Sequence, residues 1–109
     1  SQFPNISDTL VLWAMDNINN AQVEFQIHEY PGITDMKEAI EKLISANEKV
    51  GGSLSFLASQ NLKMGDANGV ILQGMNVLPH VTVEVEAFAF STSKGITVAL
   101  AATELGKKQ

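Results

Sequence analysis

A chain of 109 residues, 45% of them hydrophobic, can bury one core, and residues 1–109 read as a single domain. The absence of cysteine excludes disulfides, thiolate catalysis and zinc–thiolate centres, and no other cofactor is implied. Net charge is −5 and the seven basic residues are scattered lysines with no arginine, which argues against nucleic acid and anionic membrane as partners.

The start, Ser1-Gln2-Phe3-Pro4, has neither the basic region nor the apolar run of a signal peptide, and no stretch is apolar for long enough to span a bilayer. A cytoplasmic location before assembly is the expectation. Charged residues make up 17% of the chain against an average of about 25%, so much of the surface must be covered by Ala, Ser, Thr, Asn and apolar groups. Interface centres are depleted of charge in the same way, which points to association with other subunits, a homo-oligomer first.

Asn5 or Ser7 is placed to cap a first helix from Asp8 to Ile18, with Leu10, Trp13, Ala14, Ile18 and Ala21 at helical spacing and Asn17, Asn19 and Asn20 at its end. Gln22 to Tyr30 alternates, Val23, Phe25 and Ile27 against Glu24, Gln26 and His28, and predicts a strand with one wet face ended by Pro31-Gly32. A second helix follows, capped by Thr34 with Asp35 in its first turn. Its stripe is Met36, Ile40, Leu43, Ile44 and Ala46 or Val50, and Gly51-Gly52 stops it.

Ser53 to Ser59 predicts a strand whose alternation breaks at Phe56-Leu57-Ala58, and a short helix is the alternative there. Asn61 to Gly69 reads as a loop, and Val70-Ile71-Leu72 as a short strand interrupted at Gly74. Pro79 introduces the most regular stretch, His80 to Phe90. Its odd positions, Val81 to Ala89, are apolar; its even ones begin polar (His80, Thr82, Glu84, Glu86) and end in Phe88 and Phe90. Ser91 to Gly95 then turns into Ile96 to Thr103, which suits a hairpin strand led by β-branched residues. A helix capped by Thr92 or Ser93 and stopped at Gly106 competes with it.

No catalytic or phosphate-binding motif is present. His28 and His80 are the only imidazoles; with Glu84 on the face of His80 and Glu29 beside His28 they could approach as a metal site, although the spacing is that of ordinary strand histidines. Glu84 and Glu86 share a strand face and could form an acid–base pair, a solvated face, or a charged contact with a partner. Gly65 to Gly69 has the residue types of a calcium loop without its alternating acids, and reads as a turn. Phe88 and Phe90 need a cover, supplied either by the first helix with Trp13 or by another subunit. The candidate interface is therefore Phe88, Phe90, Glu84, Glu86 and Trp13.

The expected fold is α+β, two helices packed on one mostly antiparallel sheet with a long C-terminal strand. Asp8 to Ile18, Val23 to Tyr30, Asp35 to Val50 and Leu78-Pro79-His80-Val81-Thr82-Val83-Glu84-Val85 together resemble the small α/β proteins of tailed-phage neck and tail assemblies, tail terminators in particular. The resemblance implies a non-catalytic structural protein of the virion whose subunits form a ring and cap or join a tail tube. The competing class is a small oligomeric enzyme or ligand-binding protein, with a pocket between sheet and helices and His80 or Glu84 at its mouth.

Overall fold

The structure, a computed structural model, describes residues 9–18 and 20–104. They form β1 (Leu10–Ile18), β2 (Ala21–Pro31), α1 (Met36–Glu48), β3 (Ser53–Met64), β4 (Ala67–Val77), β5 (Thr82–Ser91) and β6 (Gly95–Glu104). All six strands join one antiparallel sheet in the order β1-β2-β6-β5-β4-β3. The fold is thus α+β with one helix rather than the two expected.

The segment expected as the first helix is the edge strand β1; Asn5, Ser7 and Asp8 lie outside the described residues. Leu10, Trp13, Ala14 and Ile18 fit a helical stripe, but only two residues separate Ile18 from its partner Ala21, and Asn20 sits at φ 65°, the left-handed geometry of a hairpin turn. Pairing with β2 from Ala21 to His28 outweighs the weak intrinsic helix preference.

β2 reaches Pro31, and α1 carries the chain across one sheet face to β3, parallel to β2 and four places away. Asp35, not Thr34, is the N-cap: its carboxylate accepts the Lys37 amide at 3.1 Å. The helix buries Ala39 and Leu43, half-buries Met36, Ile40 and Ile44, and leaves Val50 exposed beyond its end. Gly51, at φ 91°, supplies the left-handed residue that ends it.

The expected loop over Asn61 to Gly69 is largely strand. β3 runs on to Met64, a turn at Gly65-Asp66 follows, and β4 continues through Gly74 without interruption. The broken alternation at Phe56-Leu57-Ala58 is a bulge: the register shifts between Phe56 and Ala58. Gly74 lies against that bulge, where a Cβ would overlap the Ser55 carbonyl oxygen and the Phe56 Cα. β5 and β6 form the expected hairpin, closed by Thr92 and Gly95.

The core fills the space between α1 and one sheet face, with Leu54, Leu72, Val85, Ala87, Ala89, Ile96 and Val98 buried beneath the helix. The helix also carries Asn47, whose side-chain amide exchanges two hydrogen bonds of 2.9 Å with Asn76 of β4. That reciprocal pair fixes the C-terminal half of α1 over the sheet.

Candidate functional site

The sheet has a second face, opposite α1, and no described element covers it. Strand register places Phe25 and Ile27 of β2, Ala99 and Ala101 of β6, Phe88 and Phe90 of β5, and Ile71 of β4 on it as one apolar band. The rings of Phe88 and Phe90 lie 5.1 Å apart, centroid to centroid, tilted by 36°. Beside the band the same face turns polar, with Glu84 and Glu86 on β5, Gln73 on β4 and Thr103 on β6. Gln73 Nε2 donates to Glu86 Oε2 at 3.2 Å.

Two shallow hollows follow this division. One, of about 400 Å³, is lined by Phe25, Leu62, Ile71, Phe88, Ala99 and Ala101, with Glu86 beside them. Phe25 and Leu62 belong to strands four places apart, roughly 19 Å in a flat sheet. Their meeting in one hollow requires the sheet to curl, with this face concave. The other, of about 410 Å³, is bounded by Gln73, Glu84, Glu86 and Thr103. A third, of about 510 Å³, lies between Met36 at the start of α1 and Asn61, Lys63 and Asn68, and touches neither His80 nor Glu84.

Four of the five expected interface residues, Phe88, Phe90, Glu84 and Glu86, therefore share this face. Trp13 does not join them. It stands on β1 on the helix side of the sheet, and its Nε1 donates to the Glu24 carboxylate. Phe88 and Phe90 accordingly receive no cover from Trp13.

The polar face of β2 is not wet as expected. Glu24, Gln26, His28 and Tyr30 point to the helix side, and His28 is completely buried. Glu24 accepts the Gln26 amide N–H at 3.0 Å, which turns Gln26 Oε1 toward His28 Nε2 at 2.8 Å. The imidazole must donate there, so its proton is on Nε2 and Nδ1 accepts from Thr9 Oγ1 at 2.9 Å. Thr9 in turn bonds the Tyr30 hydroxyl. From Tyr30 to Glu24 each donor points the same way, a satisfied chain that lets His28 and Tyr30 be buried and Glu24 and Gln26 half-buried.

Desolvation in this site holds the His28 imidazole below its ordinary pKa, which favours the neutral form. The same desolvation raises Tyr30. The metal reading of the histidines does not assemble. His28 is buried on the helix side, Glu84 lies on the opposite face two strands away, and His80 is exposed ahead of β5. Among the described residues no three His, Asp or Glu side chains come together as a metal site. No described helix is long and apolar enough to cross a membrane. The buried chain of β2 was missed in the sequence, and its only signal was the run Glu24, Gln26, His28, Tyr30 at period two. No protein-family model matches the chain, and neither does any curated protein.

Proposed function

We propose that this protein is a non-catalytic structural subunit that self-associates through the sheet face opposite α1. The observation that carries the reading is the apolar band of Phe25, Ile27, Ile71, Phe88 and Phe90, which no described element of the chain covers. The acidic row of Glu84 and Glu86 beside it supplies a polar rim that orients a contact more than it strengthens it.

The kind of assembly suggested by the likeness to tail-terminator and neck proteins belongs to this proposal. β2, α1 and the long strand after Pro79 are present in the order that likeness requires, while its N-terminal helix is a strand here. The test is the solution mass of Phe88→Ser and Phe90→Ser beside the parent, each checked for fold by circular dichroism. Burial of one Phe contributes about 1.5–3 kcal/mol, so each variant should weaken association roughly 10- to 100-fold with the sheet intact. Unchanged association in both variants would remove this face as the contact. A parent that stays monomeric would turn attention to ligands of the 400 Å³ hollow, the competing class.

A further inference from the structure

We propose that the two edges of the sheet pair with one another between copies, β3 of one chain adding antiparallel beside β1 of the next in the register that sets Ala14 opposite Leu62. This is a second contact beside the face contact, and it rests on the reading that the chain self-associates. The contact is between second copies of this chain, and four observations support it.

The first is direction. Six strands alternate without exception, so the outermost two, β1 and β3, run opposite ways. A copy placed edge to edge, with its helix on the same side, therefore continues the antiparallel sheet unchanged, and the contact is heterologous. The second is length and composition. β1 has nine residues and β3 twelve, neither contains proline, and apolar side chains stand exposed on both, Leu12, Met15 and Ile18 on one, Leu57 and Leu62 on the other. Such edges are templates for strand addition unless something blunts them.

The third is the match of faces. Each strand has a bulge, at Val11 and at Leu57, and beyond these lie two regular runs, 12–18 and 58–64. Antiparallel pairing of the runs puts Ala14 against Leu62 and Ile18 against Ala58 on the open face, extending the apolar surface of the hollow that already includes Leu62. The fourth is charge. Asp16 is the only charged residue of β1 and Lys63 the only one of β3. Like-with-like pairing brings together two acidic or two basic edges; unlike pairing sets Lys63 beside the Trp13 ring and the Glu24 carboxylate that holds its indole. The Asn17 amide is held by the Asp16 carboxylate at 2.8 Å, a bond that the Ser59 carbonyl of the neighbour replaces.

Because the chain has no cysteine, single cysteines report the pairing directly. Ala14→Cys and Leu62→Cys are made separately in the full chain, checked for fold, and oxidised mildly at a concentration where light scattering has measured the parent's mass. Facing residues of an antiparallel pair lie about 4.5–5.5 Å apart between Cα atoms, within disulfide reach. The expected result is a disulfide dimer on mixing the two variants and none from either alone. A dimer from one variant alone would overturn the unlike pairing in favour of a two-fold contact. No disulfide from the mixture while the protein is oligomeric would overturn edge pairing and leave self-association standing. No disulfide from a strict monomer would overturn both.

Discussion

Replacing His28 by Leu removes the middle of the polar chain on β2 and should leave a folded protein of lower stability that lacks the acid sensitivity this imidazole confers. The side chain is fully buried, with two hydrogen bonds of 2.8 and 2.9 Å. Leucine fills most of the imidazole volume, so the cavity term is small. The cost arises at Gln26 Oε1, left without a donor, and at the Thr9 hydroxyl, left without that acceptor. At about 1–3 kcal/mol per unsatisfied buried group, and with Thr9 and Gln26 only half-buried, the total is about 2–4 kcal/mol. Against a domain stability of about 5–15 kcal/mol the variant still folds, with Tm lower by roughly 10–25 °C.

The pH dependence separates this account from a simple packing defect. The folded state binds a proton on His28 less readily than the unfolded chain, whose imidazole titrates near 6.5. The His28 contribution is therefore complete above that pH and is lost as pH falls from there toward the depressed folded value. Urea unfolding of parent and His28→Leu at pH 7.5, 6.5 and 5.5 measures it. The parent should lose stability toward pH 5.5, by no more than about 1.4 kcal/mol per pH unit from this group, and the variant should lack that portion. Parallel stability curves for the two proteins across this range would refute the assignment of His28 as a neutral, donor-locked imidazole.

Tyr30→Phe should cost about 1 kcal/mol, the worth of its bond to Thr9. It should also remove part of the alkaline destabilisation above pH 10, because a raised tyrosine pKa favours unfolding only once the unfolded phenol ionises; equal urea midpoints of variant and parent at pH 10.5 and 7.5 would count against this. Gly74→Ala forces a methyl into the Ser55 carbonyl and should destabilise by at least 1–3 kcal/mol in thermal melts, with no rescue from the higher strand propensity of alanine. Asn76→Ala leaves the Asn47 amide without its reciprocal partner. A loss of about 1–2 kcal/mol in urea is expected, with faster amide exchange in the last two turns of α1.

Periodicity showed which residues share a face, and much of the fold followed from that. The alternation from Val81 to Phe90 became β5, the β-branched start of residues 96–103 became β6, and the stripe from Met36 to Ile44 became α1. What periodicity does not show is which face a sheet buries. On β2 the polar residues went inward, because Glu24, Gln26, His28, Thr9 and Tyr30 satisfy one another there, a condition set by side-chain geometry rather than spacing. β1 was misread because Leu10, Trp13, Ala14 and Ile18 fit a helix as well as a strand, and the partner that decides the matter lies across a turn whose asparagines also resemble a helix end. Phe88, Phe90, Glu84 and Glu86 were legible as one surface; Trp13 lost its place in that surface with the helix that was to carry it.

The most direct test of self-association is light scattering of the purified chain across a concentration series at neutral pH. The account predicts a mass that is a multiple of 11.7 kDa, or that rises with concentration, and that is lower in Phe88→Ser at the same concentration. A parent mass of 11.7 kDa at every concentration up to the millimolar range would contradict it.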